Sequence, residues 1–188
     1  MKKLAILAFV LIVVIVACGA PATPAAVVAN PSSTPAVQPP TTGEIDPNMW
    51  YRLTNKFLGE GRSLDTYSNG KNDPFMGETG NFNGQFWKLT PQGDGTYRLT
   101  NKFLGEGRSL DTYSDGKNDP FMGETGNFNG QFWTLTLQSD GTYRLTNNFL
   151  GDGRPLDTYS DGKNAPFMGE TGNFSGQFWT LTPIEPIK

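Results

Sequence analysis

The chain has 188 residues, a net charge of −3, a single cysteine and no histidine. The length suits one domain, and an acidic chain without lysine or arginine clusters argues against nucleic acid as a partner. Without histidine, Ser-His-Asp and Cys-His catalytic machinery and the usual zinc sites are excluded, so no metal site and no cofactor are predicted.

Residues 1–17 are predicted to be a lipoprotein signal peptide. Lys2 and Lys3 precede fourteen apolar residues, a run shorter than the ~18–20 residues of a membrane span. The run ends in IVACG, which resembles the lipobox of bacterial lipoproteins. In that family the cysteine is lipidated, so the resemblance implies lipid on Cys18 and anchoring at the outer surface of the cell envelope. The alternative is an ordinary secretory signal with an incidental cysteine.

Residues 18–49 are predicted to be a lipid-anchored, disordered linker. Residues 19–49 contain seven Pro and six Ser or Thr, with almost no large apolar residue. Such a segment cannot bury enough surface to fold. If it is extended at ~3.1 Å per residue, it holds the following domain up to ~90 Å from the membrane.

Residues 50–188 are predicted to form one domain, because a 46-residue stretch occurs three times, at 51–96, 97–142 and 143–188. The first two copies differ at only four positions: Asn69, Lys88, Pro91 and Gly93 become Asp115, Thr134, Leu137 and Ser139. A period of this length indicates one supersecondary unit per copy, with neighbouring copies burying each other's apolar faces.

Each copy is predicted to hold four short strands. In the first copy they cover residues 51–55, 62–67, 75–76 and 85–90, separated by glycine-rich turns. The last strand places Gln85, Trp87 and Leu89 on one face. We therefore predict that Trp87, Trp133 and Trp179 lie in the core, and that Gln85 bonds backbone groups rather than a ligand. Phe86, on the opposite face, suits either the bottom of a barrel or an exposed platform.

The three copies limit the architecture to a few all-β folds. A propeller typically needs at least four blades, so threefold closure leaves a β-trefoil or a β-prism.

The second strand of each copy carries a candidate sugar site. Asp65 and Tyr67 lie on one strand face and supply a carboxylate for hydroxyl groups and an aromatic ring for the C–H side of a sugar. The same pair recurs as Asp111 with Tyr113 and as Asp157 with Tyr159. Alternatively, Asp65 bonds turn amides and Tyr67 packs beneath a loop.

The tetrapeptide GQFW at 84–87, 130–133 and 176–179 follows YRLTN, a G-x-G turn and an L-D pair in every copy. This pattern resembles the Q-x-W signature of the ricin B-type lectins over residues 50–183. The resemblance implies a β-trefoil that binds galactose-type or other neutral sugars, with Asp65, Asp111 and Asp157 as the main hydroxyl ligands. The family's second ligand, an Asn before the Gln, is replaced here by Gly84, Gly130 and Gly176. The nearest amides are Asn83 and Asn129, and the third copy has Ser175.

We therefore predict a cell-surface carbohydrate-binding lectin with up to three sugar sites on a monomeric domain. Three near-identical copies suit binding better than catalysis, and nothing signals the acid and base pair of a glycosidase, so no enzyme is predicted. The alternatives are a protein-binding trefoil, such as an inhibitor or adhesion module, and a purely structural surface protein. Short loops of equal length in every copy argue against the inhibitor.

Overall fold

A computed structural model describes residues 44–66, 73–112, 119–158 and 165–188. Residues 1–43 lie outside it, so Cys18, the signal peptide and most of the predicted linker are not described. Tyr67, Tyr113 and Tyr159 also lie outside the described residues. Within the described ranges, no helix is long and apolar enough to cross a membrane.

Each repeat contains four strands, and a 3₁₀ turn precedes the last of them. In the first repeat these are β1 (Met49–Asn55), β2 (Gly59–Thr66), β3 (Pro74–Glu78), the turn Asn83–Gln85 and β4 (Trp87–Pro91). In the second they are β5 (Tyr97–Asn101), β6 (Gly105–Thr112), β7 (Pro120–Glu124), the turn Asn129–Gln131 and β8 (Trp133–Leu137). In the third they are β9 (Tyr143–Asn147), β10 (Leu156–Thr158), β11 (Pro166–Met168), the turn Ser175–Gln177 and β12 (Trp179–Pro186).

The first and last strands of the three repeats form a closed barrel. β1 pairs with β4 and β12, β5 pairs with β4 and β8, and β9 pairs with β8 and β12. The middle strands form three antiparallel hairpins, β2–β3, β6–β7 and β10–β11. Because β3, β7 and β11 contact one another, the hairpins gather at one end of the barrel. A six-stranded barrel with three hairpins is a β-trefoil, so the predicted all-β trefoil is confirmed and the alternative of a β-prism is not observed.

The three repeated tryptophans occupy the core, as the sequence predicts. Trp87, Trp133 and Trp179 are completely buried. Each indole Nε1 donates to a backbone carbonyl of its own repeat at 2.8–2.9 Å, namely that of Leu64, Leu110 and Leu156. Burial of the ring therefore leaves no unpaired indole N–H.

Two boundaries differ from the sequence predictions. Gln85 belongs to the 3₁₀ turn rather than to β4. The domain also includes residues 44–49, which the sequence assigned to the linker. Ile45 packs into the core, Met49 begins β1, and the Asp46 backbone N–H donates to the Tyr51 hydroxyl at 2.8 Å. These contacts attach residues 44–49 to the barrel.

The third repeat departs from the threefold symmetry at Pro155, just before β10. In the first two repeats, Thr54 pairs with Ser63 and Thr100 pairs with Ser109. Pro155 takes the position of these serines and has no N–H to donate to a ladder. β10 therefore has three residues, whereas β2 and β6 have eight each.

Candidate functional site

A depression of about 520 Å³ opens beside the β2–β3 hairpin of the first repeat. Its volume lies within the ~300–1,000 Å³ typical of small-molecule sites. It is lined by Asp65, Phe75, Gly77, Glu78, Thr79, Gly80 and Phe82. The predicted sugar ligand Asp65 is thus at a surface opening, and Phe75 is half-buried along its wall.

The Asp65 carboxylate is held in place by two donors. Oδ1 accepts from the Thr66 backbone N–H at 2.7 Å, and Oδ2 accepts from Gln85 Nε2 at 3.0 Å. The corresponding bonds at Asp111 and Asp157 are 2.7–2.9 Å long. Each oxygen retains a lone pair, so the carboxylate can also accept from a ligand hydroxyl.

Burial removes water from the Asp65 carboxylate, so its negative charge is only partly stabilised. Desolvation raises the pKa of Asp65 and of Asp111, and the bonds from the neighbouring amides lower it only in part. Charge is therefore poorly solvated at the floor of the depression. A ligand hydroxyl that donates to the carboxylate would supply part of the missing solvation.

Gln85 has the structural role that the sequence predicts. Besides bonding Asp65, its Nε2 donates to the Glu78 carbonyl at 2.8 Å, and its Oε1 accepts from the Gly80 N–H at 3.0 Å. Gln131 and Gln177 make the same bonds in their repeats. The amide thus fixes the carboxylate to the loop opposite it.

The predicted amide ligands are not brought to this carboxylate. Asn83 starts the 3₁₀ turn, is exposed and is not among the residues that line the depression, and Asn129 has the equivalent exposed position. At Gly84, a Cβ atom would lie 2.0 Å from Asp65 Oδ1. The position that holds Asn in the resembling family therefore has no room for any side chain with this backbone.

Phe82 is a residue of the site that the sequence analysis missed. Its side chain is 57% exposed although it lines the depression. Phe128 and Phe174 are as exposed in their repeats. The ring lies directly over Gly80, where an added Cβ would come within 2.4 Å of the ring. A signal was present in the sequence, since one aromatic residue stands between glycines in an otherwise polar loop, G-N-F-N-G.

The loop beneath the Phe82 ring is firmly supported. Arg52 Nη2 donates to the Gly80 carbonyl at 2.8 Å. The Thr79 backbone N–H donates to the Gly61 carbonyl at 3.0 Å, and its hydroxyl donates to the Glu60 carbonyl at 2.7 Å. The loop is therefore ordered before any ligand arrives, which reduces the entropy cost of binding.

Two further candidates are Phe86 and a cluster of metal-binding side chains. Phe86 is buried beneath the Lys102 ammonium, which lies 5.0 Å from the ring centre, so it is not an exposed platform. In the described part of the chain, no group of three or more acidic, Cys or His side chains could hold a metal ion.

The fold and this depression define a β-trefoil protein in which each repeat has a buried carboxylate and an exposed phenylalanine. No protein-family model and no curated protein matches the sequence. Solved structures do match, beginning with the designed 3-fold symmetric protein ThreeFoil. It is 23% identical, with a TM-score of 0.62, over 72% of this chain and 99% of that chain.

Two further matches have the same fold at lower identity. The BEL β-trefoil is 14% identical, with a TM-score of 0.60, over 74% of this chain and 96% of that chain. The Polyporus squamosus lectin, bound to the epitope Neu5Aca2-6Galb1-4GlcNAc, is 16% identical with a TM-score of 0.61. That match covers 74% of this chain and 50% of the lectin. At these identities the likeness shows the trefoil fold.

The glycine beneath the phenylalanine provides a test of ring position. Changing Gly80, Gly126 and Gly172 to Ala should displace all three rings, because each new Cβ would overlap a ring. If a ligand stacks on these rings, its binding per site should weaken about 2- to 12-fold, because stacking on an aromatic ring is worth ~0.5–1.5 kcal/mol. Calorimetric titration with free sugar measures this loss.

The matched control changes three glycines that have open space around them. A Cβ at Gly61, Gly107 or Gly153 meets no atom within 4 Å. Equal sugar affinity for the two triple variants would show that the rings do not contact the ligand.

Proposed function

We propose that the protein is a carbohydrate-binding lectin on the outer surface of the cell envelope, with up to three sugar sites. The proposal rests on one observation. In every repeat, a buried carboxylate with spare lone pairs lies near an exposed phenylalanine held over glycine. The repeated trefoil supports it, since the Polyporus lectin shares the fold and was bound to a galactose-containing epitope.

The chemistry of the depression suits a neutral sugar. Hydroxyl groups would donate to the carboxylate of Asp65, and the C–H face of the ring would lie on Phe82. Both oxygens of Asp65 accept hydrogen bonds from the protein, so the carboxylate is oriented as an acceptor for ligand hydroxyls, although burial raises its pKa. The same arrangement recurs in all three repeats, which suits repeated binding. We therefore propose binding without catalysis, with galactose-type or other neutral sugars as partners.

A glycan array tests this function. The full chain, purified in detergent, is expected to bind neutral glycans, and free sugar should compete. Changing Phe82, Phe128 and Phe174 to Ala should reduce binding strongly because the apolar platform is removed.

The chain offers a matched control for that variant. Phe57, Phe103 and Phe149 are also exposed, at 43–47%, but Phe57 does not line the depression. Changing these three to Ala should leave glycan binding intact. Failure of the wild-type chain to bind any densely displayed glycan, or equal losses in both triple variants, would contradict the proposal.

Anchoring through Cys18 is a separate proposal with its own test. Cys18→Ser removes the thiol that would carry lipid, so the protein should appear in the medium or remain unprocessed. Fractionation and mass spectrometry of the N-terminal peptide distinguish these outcomes. If the variant stays membrane-associated as the wild type does, lipid on Cys18 is not the anchor.

A further inference from the structure

A second groove, of about 400 Å³, lies where the first repeat meets the third and the β8–β9 loop. It is lined by Thr54, Asn55, Lys56, Gly59, Glu60, Asp140, Thr142 and Thr180. None of these residues lines the depression at Asp65. The groove is therefore a separate site, and its polar lining differs from the apolar wall provided by Phe75 and Phe82.

In the second repeat, the corresponding place is filled by the chain's own ammonium group. Thr100 on β5 is directly opposite Lys88 on β4. The Lys88 Nζ forms an ion pair with the Glu106 carboxylate. The second repeat thus shows that an ammonium group carried from this position of the sheet pairs with the glutamate that follows.

The groove at the first repeat has a threonine at the position of Lys88, but it keeps a glutamate at the position of Glu106. Thr54 on β1 is opposite Thr180 on β12, so a hydroxyl replaces the lysine. Glu60 takes the position of Glu106, and among the described residues it has no cationic partner, because Lys56 pairs with Asp140 at 3.2 Å. One cation and two carboxylates leave the lining with a net charge of −1.

The third repeat does not reproduce the groove. Asp152 replaces the glutamate, and its Oδ1 accepts from the Thr146 hydroxyl at 3.4 Å. The strand that carries Glu60 in the first repeat is absent at this point, since β10 begins only at Leu156. The first repeat thus has an open groove whose glutamate has no cationic partner among the residues that the structure describes.

We propose that this groove binds a small ligand in which a primary ammonium adjoins hydroxyl groups, the chemistry of a de-N-acetylated amino sugar such as glucosamine. The ammonium pairs with Glu60, as Lys88 pairs with Glu106. The hydroxyl groups bond the side chains of Thr180 and Thr142. The Thr142 hydroxyl donates to Asp140 Oδ1 at 2.6 Å, so its oxygen keeps its capacity to accept from a ligand hydroxyl.

The test exchanges the residues that distinguish the two repeats. Thr180→Lys supplies the ammonium in the first repeat and should abolish glucosamine binding there. Lys88→Thr removes it in the second repeat, where Lys188 stands in place of Thr142, so this variant is a control that should not create a second site. Calorimetric titration of the full chain near pH 6, where the amine is protonated, should show the loss of one glucosamine site in Thr180→Lys and the wild-type number of sites in Lys88→Thr.

Ligand controls separate charge from hydroxyl recognition. N-acetylglucosamine and glucose lack the ammonium, and methylamine lacks the hydroxyl groups, so each should bind at least about tenfold more weakly than glucosamine. Glu60→Gln should weaken glucosamine binding by a similar factor, and added salt should weaken it further. Because the groove shares no lining residue with the depression at Asp65, these variants should leave the proposed lectin activity unchanged.

Three outcomes would overturn the proposal. They are unchanged glucosamine binding in Thr180→Lys, equal binding of glucose or methylamine, and no glucosamine binding by the wild type. None of them bears on the sites at Asp65, Asp111 and Asp157, whose binding is measured with neutral glycans.

Discussion

Replacing Asp65, Asp111 and Asp157 by Ala one at a time is expected to weaken binding to immobilised glycan in steps, with collapse when two sites are lost. Three sites on one rigid domain raise the apparent affinity for a dense surface by ~10²–10⁴ over a single site. Free monosaccharide engages one site at a time, so its binding should fall only in proportion to the number of sites removed. Biosensor binding on a glycan surface and calorimetry with free sugar measure the two quantities.

The third site is expected to contribute least. Pro155 removes the strand pairing that the equivalent serine makes in the other repeats, two residues before Asp157. Its carboxylate nevertheless has the same two donors as in the other repeats, with Thr158 N–H at 2.7 Å and Gln177 Nε2 at 2.9 Å. Because the third site is expected to be the weakest, the Asp157→Ala variant should keep more of the glycan binding than the other two single variants do.

The free energy of unfolding of each Asp variant has to be measured together with its glycan binding. Removing an Asp leaves a buried amide donor on the glutamine unpaired, at a cost of ~1–3 kcal/mol per site. The variant without Phe82, Phe128 and Phe174 keeps those bonds, so it reports on the site alone. If the triple Asp variant folds normally and still binds glycan as before, the carboxylates are not the sugar ligands. Salt should have little effect on either result, because the ligand is neutral.

Alternation along the strands was enough to predict the core. Trp87 and Leu89 are two residues apart, share a face and are fully buried. The 46-residue period was enough to predict threefold closure, because each unit must bury its apolar face on a neighbour. These features depend on local spacing, which a sequence displays directly.

The candidate site depends on tertiary contacts that spacing does not show. Phe82 remains exposed because Gly80 lies beneath its ring, and the lack of room at Gly84 depends on Asp65, which is nineteen residues earlier. Ile45 has a polar, proline-rich context but is buried, because the core of the barrel has room for it. Asp65 is distant in sequence from Gly84, and the barrel core is distant from Ile45, so composition and period cannot identify these two contacts.

Changing Trp133 to Ala should cost ~3–5 kcal/mol in the free energy of unfolding, the largest stability effect expected from one substitution here. The ring is completely buried, and its removal opens a cavity that the surrounding barrel strands cannot fill. Equivalent losses are expected at Trp87 and Trp179, because all three indoles donate to equivalent carbonyls. Urea unfolding followed by circular dichroism measures the change.

Changing Trp133 to Phe separates the hydrogen bond from the packing. Phenylalanine keeps much of the buried volume but leaves the Leu110 carbonyl without its 2.8 Å donor, so the loss should be ~1–3 kcal/mol. Trp50→Phe is the matched control, since Trp50 is only half-buried and should change stability by about 0.5 kcal/mol at most. Equal stability of the two variants would show that the indole bond adds nothing. A larger loss at Trp133 would combine the missing bond between β8 and β6 with the cavity that the smaller ring leaves in the core.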